Sequence, residues 1–243
     1  MYAIYQKEIK QFFSSLIGYI AIIVFLIALG GIVWVNPDNN ILDYGYATLD
    51  YFFWLAPIVF IFLIPAITMR MFSEEIYTGS IELLTTKPIS ELEIVLGKYL
   101  AALTLVFVAL LPTLTYFYTI YSLALPIGNV DVGGIIGSYF GLLFLGAVFV
   151  AIGLFCSSLF ANQIVSFVIG VVLCGLLYVG FESLANFSRF IGKIDYWIQQ
   201  LGLYAHYNSI SKGIIDSRDV LYFLSIIILF IFLTRTALAA RKW

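Results

Sequence analysis

Apolar residues are gathered into six long runs, Leu16 to Val35, Tyr51 to Met69, Ile94 to Tyr121, Ile135 to Phe160, Ile164 to Ala185 and Val220 to Ala239. Each is close to or above the roughly 20 residues that a helix needs to cross a hydrocarbon core. The pattern predicts six transmembrane helices. The third run is over-long and holds Pro112 near its middle, where the ring removes a backbone hydrogen bond, so a kink or break is expected there; Pro57 and Pro65 raise the same expectation in the second. Ahead of the first run, Ile4, Ile9, Phe12 and Phe13 alternate with Gln6, Lys7, Lys10 and Gln11, a spacing that fits residues 1–15 as a helix lying along the membrane interface, or equally a cap with snorkelling lysines.

The polar positions between the runs give an orientation. Lys7 and Lys10, then Arg70, Lys87 and Lys98, then Arg235, Arg241 and Lys242 all fall on one side, whereas the connections on the other side from Asn36 to Asp50 and from Ser122 to Gly133 hold only acids, Asp38, Asp43, Asp50 and Asp131. Cytoplasmic connections are enriched in Lys and Arg, so both termini are expected in the cytoplasm. Residues 182–219, on the expected outer side, depart from the rule: Arg189, Lys193, Lys212 and Arg218 balance Glu182, Asp195, Asp216 and Asp219. There, Phe190, Ile194, Trp197, Ile198 and Leu201 recur at helical spacing, which suits either a helix lying at the outer interface or a cap on the outer ends of the spans, the cap being favoured.

Composition agrees. Of the 243 residues 63% are hydrophobic and 11% charged, too few ionisable groups to clothe a water-soluble surface. With 12 Lys and Arg against 14 Asp and Glu, the chain has no basic footprint for nucleic acid. Cys156 and Cys174 lie inside apolar runs and read as small buried hydrophobes. The first run is too long for a cleaved signal and lacks a small-residue cleavage pattern. The whole of 1–243 therefore reads as one transmembrane domain.

The densest polar stretch is residues 70–90. Ser73 is placed to N-cap a short helix, Glu74 and Glu75 suit its positive end, Pro88 would stop it, and Ile76, Ser80, Leu83 and Leu84 would share one face. Carboxylates at Glu74, Glu75 and Glu82 keep the segment in water, since one at the bilayer centre costs about 2.5–3.5 kcal/mol. An amphipathic helix hung there buries its apolar residues either on the protein's own membrane surface or in a groove of a partner.

From Arg70 to Ile89 the paired acids, Gly79, the Glu82 Leu83 Leu84 run and Pro88 resemble the cytoplasmic loop of ATP-binding cassette exporter permeases of the ABC-2 superfamily. Ile94 Val95 Leu96 Gly97 Lys98 Tyr99 Leu100 resembles the start of that family's third span, and Asn162 Gln163 its turn between spans four and five. Ile76 stands where many relatives have a basic residue, and Ser80 where they often have Thr. Within the family the chain is similar to the permeases associated with bacterial gliding motility, also through Gly213 to Val220 and Leu221 Tyr222 Phe223 Leu224. The resemblance implies an all-α polytopic membrane protein, a type V exporter-like permease whose segment between spans two and three is a coupling helix. It would sit in a cleft of a cytoplasmic ABC ATPase dimer, with Glu74, Glu75 and Glu82 as polar contacts, Leu83 and Leu84 as apolar anchors and Gly79 allowing close backbone approach. It also implies a second permease chain, the same or different, and an accessory motility protein; lipid is the solvent. The chain would be non-catalytic and hold no cofactor, ATP being bound by its partner.

Other chemistry finds few parts. Gly97 Lys98 and Gly192 Lys193 lack the glycine and the Ser or Thr of a phosphate-binding loop. The Glu74 Glu75 pair has Gly79 where a membrane protease of that type wants Arg, and His206 is the single histidine, read as an interfacial aromatic beside Tyr204 and Tyr207. Charges inside the spans are too sparse for a proton relay. The competing readings are a scaffold that anchors a motility or secretion machine, and a secondary carrier run by an ion gradient.

Overall fold

Leu16–Val35 forms the first long helix (α2), with Tyr2–Ser14 (α1) before it, turned off at an extended Ser15. The computed structural model describes residues 1–36, 40–42, 45–85, 89–187, 194–214 and 216–240, with the backbone alone at 17 and 83–85. Asp50–Tyr77 (α3) is followed by the short Ser80–Thr85 (α4); Glu91–Leu110 (α5) and Leu114–Leu123 (α6) flank a tighter turn at Leu111–Thr113. Val132–Leu159 (α7) and Gln163–Gly175 (α8) come next; a wider, π-type turn at Leu176–Gly180 leads into Phe181–Ala185 (α9). Asp195–Gln200 (α10), Leu203–Ser211 (α11) and Ser217–Ala239 (α12) complete the chain. The molecule is all-helical over the described residues, with six helices long and apolar enough to cross a membrane.

Pro112 breaks the third span as expected: the regular helix gives way to the tighter turn that holds it. Pro57 and Pro65 do not break the second. Around Pro65 the neighbouring Thr68 turns its hydroxyl back onto the Ile64 carbonyl at 2.9 Å, and α3 continues.

At the centre α3 packs on α7, with α2 and α8 also against α3, and α5, α8, α11 and α12 around α7. Lipid tails are as apolar as leucine, so these helices are held by close fit and by polar contacts more than by burial from water. The fit is tight: a Cβ on Gly153 of α7 would run into the Thr68 hydroxyl of α3, and Phe25 of α2 stacks on Phe60 of α3 at 5.3 Å. Cys156 and Cys174 are buried free thiols, as small apolar fillers.

The segment after the fifth span caps one end of the bundle. α11 lies on α7 and buries Leu203, His206, Tyr207 and Ile210, with the Tyr207 hydroxyl donating to the Phe53 carbonyl at 2.7 Å. Phe190 of the expected amphipathic helix lies outside the described residues, and the helix observed nearby begins at Asp195. His206 is not an interfacial aromatic. It is buried, stacked on Tyr222 at 3.8 Å, with Nδ1 2.6 Å from Asp219 Oδ1 and Nε2 3.0 Å from the Gln200 carbonyl. These contacts tie α11 to the start of α12.

Candidate functional site at the elbow between α3 and α4

The second span does not end at Met69. α3 runs on to Tyr77, which places Ser73, Glu74 and Glu75 in its last turns, not at the start of a new helix. Ser73 is therefore no N-cap, and Ile76 and Ser80 belong to different helices. The reason is that the polar residues read as a water-exposed loop have their partners inside the protein. Ser73 is fully buried; its Oγ lies 2.7 Å from Ser166 Oγ of α8 and 3.1 Å from the Ser157 carbonyl of α7. The Ser157 hydroxyl in turn accepts from the Phe72 and Ser73 amides at 2.9 and 3.0 Å and donates to the Met69 carbonyl at 2.8 Å. One hydroxyl thus splices into the backbone ladder of α3, and three spans are pinned where α3 leaves the bundle.

Just below, Glu75 turns inward. Lys98 of α5 is only 1% exposed, and its ammonium sits 2.8 Å from Glu8 Oε1 of α1, 3.0 Å from Glu75 Oε2 and 2.7 Å from the Met71 carbonyl, over the ring of Phe72. Glu75 Oε2 is in ionic contact with Lys98 without hydrogen-bond alignment, while Glu75 Oε1 accepts from Lys7 at 2.8 Å. Two ammonium groups face two carboxylates, and three helices meet on them. Burial works against the Lys7 charge, but the hydrogen bond and charge of Glu75, with Glu8 behind, outweigh it and hold its pKa above 10.5.

α1 can reach this cluster because Gly97 leaves room: a Cβ there would come within 3.0 Å of Ile4. The buried face of α1 is Ile4, Glu8 and Phe12, one residue per turn, and Tyr5 adds a contact at 3.2 Å between its hydroxyl and that of Thr104. Arg70 sits over the Phe12 ring and reaches Ser15 Oγ at 3.3 Å. Sequence reasoning does not single out Lys98 or Glu8 as site residues, although Gly97 Lys98 lies in a segment that carries the family resemblance.

Beyond Tyr77 the chain turns sharply. The Thr78 amide and hydroxyl both donate to the Glu74 carbonyl, and Gly79 adopts φ +72°, the left-handed conformation that ends helices and that glycine takes without strain. α4 then starts at Ser80. Of the predicted contacts, Glu74 is half-buried beside the cleft between α1 and the elbow, a space of about 200 Å³, while Gly79 and Glu82 are exposed. Leu83 and Leu84 lie on α4 with side chains outside the described residues, and Pro88 lies outside them altogether. Among the described residues no three His, Cys, Asp or Glu side chains are grouped to hold a metal.

Six helices long and apolar enough to span, an N-terminal helix strapped across the third, and a short helix projecting from the end of the second define a polytopic membrane protein. The chain belongs to the ABC-2 family: the family model described as ABC-2 family transporter protein matches residues 2–241. No curated protein matches the chain.

Proposed function

We propose that this chain is the permease subunit of an ATP-binding cassette transporter, embedded in a bacterial inner membrane with both termini and α4 in the cytoplasm, where a separate ATPase dimer grips α4. The observation that carries the reading is the ion cluster beneath the elbow. α4 leaves α3 only a few residues after Glu75, and Glu75 is locked through Lys7, Lys98 and Glu8 to α1 and α5. A push on α4 would be delivered to three helices as one body, and through Ser73, Ser157 and Ser166 to α7 and α8. Lys7, Lys10 and Arg70, which all lie at the α4 end, support placing that end in the cytoplasm. Two permease chains with two ATPase chains give the motor a symmetric load. Service in a gliding-motility machine, with an accessory protein, is supported by the resemblance of the loop and of residues 213–224 to the permeases of that system.

Charged residues at Leu83 and Leu84 (L83E with L84E) should abolish capture of the cytoplasmic ATPase on the purified permease while the variant still inserts and elutes as a monodisperse particle. Unchanged capture would remove the coupling role of α4. Vesicles then separate transport from anchoring: ATPase stimulation that needs the intact elbow supports a transporter, and a bound but unstimulated partner supports a scaffold. Solute movement driven by an ion gradient with no ATPase present would point to a secondary carrier.

A further inference from the structure

At the end of the bundle opposite the elbow lies a cleft of about 350 Å³, of the size that takes a small organic ligand. Its floor is Tyr178, presented by the π-type turn in the fifth span; such turns widen a helix locally and recur at binding sites. Tyr204 and Tyr207 stand against it with ring centroids at 5.7 and 6.3 Å, and the exposed Trp54 lines the same space. The Tyr207 hydroxyl is engaged by the Phe53 carbonyl. Tyr178 is different: it is only 4% exposed, yet its hydroxyl makes no hydrogen bond among the described residues, and the space it borders is the cleft. The ring is enclosed but its oxygen is open to the cleft, so that group is free to donate to or accept from a ligand or water.

The charge around these rings is negative. Asp50 and Asp131 line the cleft against a single ammonium, Lys212, with no ion pair among the described residues joining them. Asp131 Oδ1 accepts from the Gly134 amide, and the carboxylate still leaves its other oxygen. Aromatic rings present their negative faces to cations, and carboxylates beside them strengthen the attraction. We infer that this cleft binds an organic ammonium with an apolar body, its N–H groups meeting Tyr178 Oη and the Asp50 and Asp131 carboxylates while the apolar part lies among Trp54 and the tyrosine rings. This goes beyond the transporter reading and does not depend on the ATPase, because it concerns binding by this chain alone.

The test uses the full chain in zwitterionic lipid nanodiscs, with empty discs as reference, and titrates three soluble probes of one shape: 2-phenylethylammonium, 2-phenylethanol and 3-phenylpropanoate. Saturable binding of the ammonium is expected, with the alcohol about tenfold weaker, as losing a hydrogen bond to a charged group implies, and the carboxylate weaker still. Simple partition into lipid would rank the alcohol above the ammonium, so the order itself separates site from bilayer. Tyr178→Phe, which keeps the ring and the packing, should weaken the ammonium about tenfold without moving the thermal midpoint, and D50N with D131N should weaken it by at least that much. Equal affinity for alcohol and ammonium, an ammonium affinity untouched in either variant, or displacement of the ammonium by glucose would overturn the proposal.

Discussion

Lys98 would be hard to replace. Its ammonium is the common neighbour of Glu8 and Glu75, which are almost as buried as it is, so Lys98→Met removes a charge and leaves two carboxylates against the half-exposed Lys7 alone. Breaking a buried ion pair from one side costs about 3–5 kcal/mol, and the stranded charges fall on the helices the elbow depends on. The expected outcome is a lower thermal midpoint in nanodiscs and, on the proposed coupling role of α4, a chain that still captures an ATPase yet no longer stimulates it; full stimulation would show that the cluster transmits nothing. Ser157→Ala belongs beside it. That change removes the hydroxyl that accepts from the Phe72 and Ser73 amides and donates to the Met69 carbonyl, about 1 kcal/mol for each lost hydrogen bond, and amide exchange at 72 and 73 should accelerate while α2 is unaffected. The Lys7 bridge carries its own pH signature. Its folded pKa is raised, so its contribution is complete below 10.5 and lost only as pH rises through the raised value; a spin label on α1 should keep one mobility from about pH 6 to 9. None of these partnerships is written locally: Lys98 meets Glu8 across 90 positions and Ser73 meets Ser157 across 84, so the sequence shows polar residues and conceals what satisfies them.

Among the elements, the spans are the legible part, because about 20 apolar residues between polar punctuation leave a helix few alternatives. α2 occupies the residues its apolar run marks out, Pro112 interrupts the third span, and α1 buries the stripe of Ile4 and Phe12. The error sits at the end of α3, where Arg70, Ser73, Glu74 and Glu75 have the composition of a solvated loop. Hydropathy counts each of them as an escape from the membrane, whereas Ser73 and Glu75 are turned into the protein and satisfied there by serines and lysines. The consequence is a shorter handle than the sequence suggests, with its bend at Gly79. Since that bend needs φ +72°, Gly79→Val should strain it by roughly 1–2 kcal/mol, and Gly79→Asn, which tolerates the left-handed region, should be milder. ATPase capture should fall in the order glycine, asparagine, valine; equal capture by all three would mean that the angle of α4 is immaterial.

For the whole molecule, the separation of polar ends makes a prediction that needs no partner. Tyr2 and Tyr77 are exposed at the end that carries α1 and the elbow, and Leu125 and Tyr196 at the end that carries α11. The native thiols Cys156 and Cys174 are fully enclosed, so they form a silent background and single cysteines can be added to the natural chain. A membrane-impermeant maleimide applied to intact cells should label cysteine substitutions at Leu125 and Tyr196, and those at Tyr2 and Tyr77 only after the membrane is opened. The arrangement is demanding, because the six spans fix the relation among all four sites: an even number of crossings between residues 2 and 125 would place both on one face and break the pattern at once. The reverse result, with Tyr2 and Tyr77 labelled from outside, would preserve the fold and invert the molecule. That would take α4 out of reach of any nucleotide-driven motor and turn the aromatic, carboxylate-lined cleft toward the cytoplasm, so a single labelling experiment sets which end of this permease could be driven and which could meet its ligand first.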